Sequence, residues 1–282
     1  MEFITQSGVP AGPIGQGTWY LGNRPDTFQQ ELSALRAGID RGMTLLDTAE
    51  MYGEGAAERL LSQAIRGYDR EKLYLVSKVY PHNAGRKNIF HSCRQSLKRL
   101  ETDYLDLYLL HWRGSVPLAE TAECMEKLRE DGLIRAWGVS NLDLDDMDEL
   151  AAVPGGKNCV TDQVLYHLGS RGIEFDLLPA LQERDISVMA YCPLAQGGSL
   201  RRGLLESPAV ADTARAHDAS PAQVLLAFLL ARPGVVPIPR SSNAAHALDN
   251  AGAADIRLTK EDLARLDAAF PAPTCRVPLD TQ

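Results

Sequence analysis

The sequence has few of the features that distinguish secreted, disulfide-bonded proteins. Its five cysteines form no CxxC pair and lie far apart, at positions 93, 124, 159, 192 and 275. An odd number of scattered thiols is typical of a reducing cytosol and argues against a disulfide framework. Residues 1–8 contain no basic segment followed by an apolar run. We therefore expect no signal peptide and a cytoplasmic location.

The sequence also lacks an excess of positive charge and any long apolar run. The net charge is −8, and the 29 Lys and Arg residues are scattered among 37 Asp and Glu residues. This balance argues against nucleic acid or an anionic membrane as the main partner. No uninterrupted apolar run is long enough to span a membrane. Four histidines lack the spacing of metal ligands, so we expect no metal: His82, His91, His167 and His217.

What the chain does contain is a repeated alternation of strand and helix patterns. The apolar strand patterns begin near Ile14, Met43, Leu73, Leu105, Ile134, Val160, Ser187 and Val235. Strands that alternate with helical patterns favour a parallel sheet. Eight such units in this length predict an α/β fold, a closed (β/α)8 TIM barrel in one domain over residues 1–282. The main alternative is an open doubly wound sheet, whose usual GxGxxG turn lacks its last glycine here, at Tyr20.

Three further segments lie outside the repeating units. A β-hairpin is predicted over residues 3–10, ahead of the barrel. Two extra C-terminal helices are predicted, one near Ala244–Ala251 and one from Thr259 to Phe270. Residues 193–206, which include three glycines, are predicted to form a mobile loop.

Ionisable side chains end three successive predicted strands. They are Asp47, Lys78 and His111, and Tyr52 follows Asp47 by five residues. On residues 44–53 alone, a turn-capping Asp and a core Tyr explain the pattern equally well. Strand carboxyl ends meet at one face of a barrel, however, and three buried ionisable groups are less costly when they compensate one another. A cation beside the phenol is expected to lower the pKa of Tyr52, so that it can donate a proton to a developing alkoxide.

These four residues, in this order, resemble the catalytic tetrad of the aldo-keto reductases. Other stretches similar to that family's signatures are spread along the chain, at 38–42, 46–49, 100–107, 138–141 and 238–241. The resemblance is closest to short bacterial members that reduce methylglyoxal and other small aldehydes with NADPH. It implies that hydride passes from the nicotinamide to the carbonyl carbon and that Tyr52 supplies the proton. Lys78 and Asp47 would then tune the phenol, and His111 would orient the carbonyl.

The resemblance also implies where the cofactor NADPH or NADP would lie. The expected contacts are Gly17, Thr18, Trp19, Ser140, Asn141, Gln163, Tyr191, Pro193, Leu194, Ala195, Gln196, Ile238, Pro239, Arg240, Ser241, Ser242, Asn243, His246, Asp249 and Asn250. Ser140, Asn141 and Gln163 would hold the nicotinamide carboxamide. Tyr191 would stack on the nicotinamide ring, and Arg240 would bind the adenosine 2′-phosphate.

The substrate cleft is expected to be lined by aromatic and sulfur-containing side chains. These are Trp19, Met51, Tyr80 and Trp112, together with His111. The C-terminal tail is short compared with larger members of the family, which indicates an open and less selective pocket. We expect a small-molecule carbonyl substrate and a monomer.

The sequence departs from the family's usual residues at two cofactor positions, and two alternative functions stay open. Many members have Lys where Arg240 stands, a change that keeps the charge. Many have Arg where His246 stands, which leaves one phosphate contact in doubt. A Schiff-base lyase would use Lys78 as an amine nucleophile instead. A cofactor-bound regulatory subunit would keep the fold but have little turnover.

Overall fold

The computed structural model describes residues 12–281, which contain eight parallel strands. The strands are β1 Gln16–Gly17, β2 Leu45–Asp47, β3 Tyr74–Val79, β4 Leu105–Leu110, β5 Ile134–Ser140, β6 Cys159–Leu165, β7 Ser187–Tyr191 and β8 Val235–Pro237. Each strand pairs in parallel with the next one in the chain, in the order β1 to β8. The predicted (β/α)8 fold is thereby confirmed.

Helices surround the sheet on its outer side. They are α1 Phe28–Asp40, α2 Ala56–Ala64, α3 Ile89–Leu100, α4 Leu118–Glu130, α5 Leu144–Ala152, α6 Leu177–Glu183, α7 Gly198–Leu205, α8 Pro208–Ala216, α9 Pro221–Leu230, α10 Ala244–Gly252 and α11 Lys260–Ala269. Short 3-10 turns cover Arg70–Lys72, Pro81–Asn83, Gly156–Asn158, Gly172–Glu174 and Ala253–Asp255. No helix in the described part of the chain is both long enough and apolar enough to cross a membrane.

The first and last strands close the ring through main-chain hydrogen bonds. The N–H of Gly15 donates to the carbonyl of Pro237 at 3.0 Å, and the N–H of Gly17 donates to that of Pro239 at 3.1 Å. Gly17 also forms a parallel bridge with Arg240. A side chain on Gly17 would press against the Ile238 carbonyl, since its Cβ would lie 3.1 Å from that oxygen. The glycine therefore permits the close approach of these two chain segments.

Two apolar layers hold the barrel together. The inner layer fills the lumen with ten buried side chains from the strands and the segments that continue them: Leu45, Tyr74, Val76, Leu107, Leu109, Ala136, Val160, Met189, Val236 and Ile238. The outer layer, the larger of the two, lies between the strands and the helices. Because the lumen is filled by apolar side chains, its polar groups can gather only at the ends of the strands.

Side chains cap several of the helices. Ser220 and Gln223 form a reciprocal capping box at the start of α9, with Pro221 at the first helical position. Asp143 caps α5 by accepting a hydrogen bond from the N–H of Asp146. The two C-terminal helices are present as α10 and α11.

Two other predictions, the loop over residues 193–206 and the hairpin over residues 3–10, are not confirmed. The prediction of a loop over residues 193–206 is wrong for its second half, because α7 occupies Gly198–Leu205. The glycines at its start obscured the helix in the sequence, but the buried Leu204 anchors it to the rest of the molecule. The hairpin predicted over residues 3–10 lies outside the described residues.

Candidate active site

The strand ends bring together the four ionisable residues that the sequence singled out. Asp47 is the last residue of β2, Lys78 lies one residue before the end of β3, and His111 directly follows β4. Tyr52 lies in the turn between β2 and α2. All four are buried, and the most exposed of them, Tyr52, retains only 9% of its accessible surface. They form a compact group at the carboxyl ends of the strands.

The ammonium of Lys78 is the centre of this group. Its Nζ donates to both carboxylate oxygens of Asp47, at 2.8 Å each, and to the carbonyl of Thr48 at 2.9 Å. It also lies 3.2 Å from the hydroxyl oxygen of Tyr52. Burial lowers the pKa of Lys78, and the Asp47 carboxylate opposes that effect. The bidentate pair compensates the charge of a fully buried ammonium.

The pKa of the Tyr52 phenol differs from the expectation. Burial raises the pKa of Tyr52 well above its ordinary value, and the neighbouring Asp47 carboxylate raises it further. The expected lowering of this pKa by Lys78 is therefore wrong for the protein alone, because removing a phenolate from water outweighs the nearby cation. The consequence is a phenol that keeps its proton and can act as a donor.

His111 closes the group on the side of β4. Its ring lies 5.6 Å from the ring of Tyr52, centre to centre, and nearly perpendicular to it. Burial and the Lys78 cation lower the pKa of His111 to about 2. The imidazole is therefore neutral near pH 7 and carries one N–H donor. Its Nδ1 is buried and has no hydrogen-bond partner among the described residues.

A second hydrogen-bonded network joins β5, β6 and β7. The hydroxyl of Tyr191 donates to the side-chain oxygen of Asn141 at 2.8 Å. The Asn141 amide donates in turn to the carbonyl of His111 and to the hydroxyl of Ser140. Asn141 has a φ of +59°, a left-handed conformation that Asn tolerates better than most residues. The amide of Gln163 donates to Asp47 at 2.8 Å, which links this network to Lys78.

A cavity of about 650 Å³ opens beside both networks. Most of the residues predicted to take part in catalysis or to contact cofactor or substrate lie in its wall. They are Gly17, Trp19, Asp47, Met51, Tyr52, His111, Trp112, Ser140, Asn141, Gln163, Tyr191, Pro193, Leu194, Ala195, Gln196, Ile238, Pro239 and Arg240. The wall combines an aromatic ring, amide groups, a guanidinium and a segment of small residues, a set that suits a dinucleotide with a phosphate group.

Other predicted contacts lie away from the cavity wall. These are Thr18, Tyr80, Ser241, Ser242, Asn243, His246, Asp249 and Asn250. Asn243 caps α10, and Asp249 accepts a hydrogen bond of 2.8 Å from the hydroxyl of Ser220. Tyr80 packs edge-on against Trp112, at 5.9 Å between ring centres, so it lies behind the wall. The roles of these residues as ligand contacts stay predictions.

Five further residues in the wall escaped the sequence analysis as ligand contacts. They are Tyr20, Arg113, Cys192, Arg201 and Thr281. Tyr20 and Arg113 directly follow predicted wall residues, so adjacency could have indicated them. Arg201 was missed because α7 was taken for a loop. Burial raises the pKa of Cys192 to about 11, which disfavours its thiolate form near pH 7.

The C-terminal tail brings Thr281 to the cavity. Arg276 ties this tail to the body of the molecule through three carboxylates, with distances of 3.1 Å to Asp145, 3.2 Å to Asp176 and 3.7 Å to Asp143. Asp280 is hydrogen-bonded to Ser170. The tail is therefore fixed at one side of the opening. No group of His, Cys, Asp and Glu side chains among residues 12–281 could hold a metal ion.

Comparisons with known proteins agree with this geometry. The Escherichia coli (strain K12) protein named methylglyoxal reductase YeaE is 53% identical over 280 residues, which cover 99% of this chain and 98% of that protein. A crystal structure of an aldo/keto reductase from Klebsiella pneumoniae in complex with NADP and acetate superimposes with a TM-score of 0.93, at 53% identity, and covers 97% of this chain and 96% of that one. A structure of an aldo-keto reductase from the same organism in complex with NADPH gives the same TM-score of 0.93 and the same 53% identity, over 97% and 95% of the two chains. The model of the aldo/keto reductase family matches residues 13–270. The chain therefore belongs to the aldo/keto reductase family.

Proposed function

We propose that the protein uses NADPH to reduce the carbonyl group of small aldehydes and dicarbonyls, such as methylglyoxal, to an alcohol. The observation that carries the proposal is the hydroxyl of Tyr52, which is buried at the cavity wall 3.2 Å from the ammonium of Lys78. A neutral phenol beside a fixed cation can release its proton to a developing alkoxide, because the cation stabilises the phenolate that remains. The name of the Escherichia coli relative supports methylglyoxal as a test substrate.

Each member of the group has a separate role in this proposal. Tyr52 holds the proton that goes to the carbonyl oxygen. Lys78 stabilises the phenolate, and Asp47 keeps the ammonium charged and directed at the phenol. The neutral ring of His111 can donate its N–H to the carbonyl oxygen, which places that oxygen beside the phenol. The T-shaped contact between the two rings is compatible with one oxygen that reaches both donors.

The cavity wall fits NADPH, which, when bound, supplies a hydride to the carbonyl carbon. Tyr191 offers an aromatic face, and Ser140, Asn141 and Gln163 offer polar groups for a carboxamide. Arg240 lies at the exposed end of the wall, where a guanidinium can bind a phosphate with two hydrogen bonds. The NADP and NADPH complexes of the Klebsiella pneumoniae structures support this assignment.

The Schiff-base alternative is disfavoured by the contacts of Lys78. An amine nucleophile needs a free lone pair and space for the substrate carbon. The Nζ of Lys78 instead has four oxygen neighbours within 3.2 Å, and the side chain is fully buried. The position suits the cation of an ion pair with Asp47 rather than a nucleophile.

The test is NADPH oxidation, followed by absorbance, with a panel of small aldehydes, dicarbonyls and keto-sugars. We expect turnover with methylglyoxal and other small aldehydes. NADPH binding without reduction of any aldehyde would instead support the regulatory subunit. A substrate adduct on Lys78 that borohydride can trap would support the lyase.

A further inference from the structure

The side chain of Glu50 joins two loops at the edge of the cavity. It lies between Asp47 and Tyr52 in the turn after β2 and is half-buried. Its Oε1 accepts a hydrogen bond of 2.7 Å from the main-chain N–H of Tyr80 and one of 3.2 Å from the amide of Asn83. The loop that carries the phenol is thereby attached to the loop that follows β3.

The loop after β3 supports the aromatic wall. The ring of Tyr80 stands edge-on to the indole of Trp112, at 5.9 Å and 85°. The indole lies 4.9 Å from the imidazole of His111, centre to centre. Pro81 fills the space beside Gly114, where an added Cβ would meet it at 2.5 Å. The loop after β3 therefore packs closely against the loop after β4, which carries Trp112. The indole of Trp112 is 37% exposed and faces the cavity.

We propose that Glu50 is a positioning residue that braces Tyr80 against Trp112 and so fixes the wall that holds a small substrate. This inference rests on the proposed reduction of small carbonyl compounds. Without the support of Tyr80, the indole of Trp112 would be free to turn away from a small substrate. With that support, the indole stays in place and keeps the substrate end of the cavity narrow. Pre-organised contacts of this kind strengthen binding because less freedom is lost when the ligand arrives.

The first test is steady-state reduction of methylglyoxal by Glu50→Ala, Glu50→Gln and Glu54→Ala. Loss of a half-buried charged acceptor should raise KM for methylglyoxal roughly tenfold in Glu50→Ala. The kcat should change much less, since the proton donor and its cation are untouched. Glu50→Gln keeps an oxygen that accepts from Tyr80 and should restore a KM close to that of the wild type. Glu54→Ala, in which an exposed residue of the same loop loses the same charge, is the matched control.

The second test observes Trp112 directly. Acrylamide should quench the tryptophan fluorescence of Glu50→Ala more strongly than that of the wild type. This difference should disappear when both proteins also carry Trp112→Phe. Tyr80→Ala removes the supporting ring but leaves the main-chain hydrogen bond, and it should reproduce both effects. It also serves as the test variant if circular dichroism shows that Glu50→Ala does not fold.

Two results would contradict the proposal that Glu50 positions Tyr80 against Trp112. One is a KM of Glu50→Ala, or of Tyr80→Ala, equal to that of Glu54→Ala. The other is a KM of Glu50→Gln as high as that of Glu50→Ala, which would mean that charge matters rather than the hydrogen bond. If the wild type reduces no aldehyde, the proposed function fails, while the quenching comparison still decides whether Glu50 braces Trp112.

Discussion

The amide of Gln163 donates a hydrogen bond of 2.8 Å to Oδ1 of Asp47, although 116 positions separate the two residues in the chain. Gln163 belongs to β6 and Asp47 to β2, which lie on opposite sides of the eight-stranded ring. The Asp47 carboxylate is thus held from one side by Lys78 and from the other by Gln163. Gln163, which is expected to contact the cofactor, therefore also orients the carboxylate of the proposed catalytic group.

This contact predicts a pH-dependent effect of Gln163→Glu. A second carboxylate against Asp47 would be repelled, so its pKa in the folded state would be raised. The group then binds its proton more tightly when folded, and the free energy of unfolding falls as pH rises. We expect a larger loss of thermal stability at pH 8 than at pH 5. The matched variant Gln163→Met should lose about 1–2 kcal/mol at both pH values, and an equal loss for both variants at both pH values would contradict the argument.

Tyr52→Phe should remove most carbonyl reduction and leave the fold intact. The substitution deletes only the hydroxyl that is proposed to supply the proton, a contribution of about 10²–10⁴-fold in general acid catalysis. NADPH binding, measured by the quenching of protein fluorescence, should stay near the wild-type value. A Tyr52→Phe protein with normal turnover would exclude the phenol as the acid.

Lys78→Met should abolish activity and also destabilise the protein. It leaves the carboxylate of Asp47 buried without its cation, which typically costs about 3–5 kcal/mol. The double variant Asp47→Asn/Lys78→Met has no unpaired charge, so chemical denaturation should show that it regains stability. It should not regain activity, and this combination separates the structural role of the ion pair from the chemical one.

Asp162→Asn should stabilise the protein, most clearly above neutral pH. Asp162 is buried on β6, and neither carboxyl oxygen makes a hydrogen bond within normal geometry to any residue between 12 and 281. Burial raises the pKa of Asp162 well above its ordinary value; the Leu142 N–H opposes this only in part, and the carboxylates of Asp146 and Asp143 add to it. The free energy of unfolding therefore falls as pH rises from the ordinary Asp range towards the raised pKa, because the unfolded chain releases the proton first. Asparagine does not titrate, so denaturant unfolding at pH 5 and pH 8 should show a larger gain at pH 8.

Arg240→Gln should weaken NADPH binding by about tenfold and change NADH binding little. The exposed guanidinium can form two charge-assisted hydrogen bonds with a 2′-phosphate, which NADH lacks. Arg202→Gln, which removes an exposed charge from α7, is the control. Equal losses for the two cofactors in titrations would show that Arg240 does not read the phosphate. The same titration with His246→Ala tests one of the predicted contacts on α10.

The sequence was most informative where a regular pattern ended in a chemically distinctive side chain. Apolar runs that stop at Asp47, Lys78 and His111 made the barrel and the polar face predictable, because all parallel strands end at one face. The bond between Gln163 and Asp47 was not predictable, since it depends on which side chains meet across the ring. The direction of the pKa shift of Tyr52 was missed for a similar reason, because burial is a property of the folded molecule.

The seam between the first and last strands has a further consequence. Proline has no N–H, so Pro237 and Pro239 can only accept hydrogen bonds, and the glycines opposite supply the donors of this seam. β1 is only two residues long, so few main-chain hydrogen bonds hold this junction. Gly17 and Arg240 lie on its two sides, and both face the cavity. A ligand that contacts both residues would therefore hold the first and last strands together. Slower amide hydrogen exchange at Gly15 and Gly17 in the presence of the ligand would measure this stabilisation of the seam.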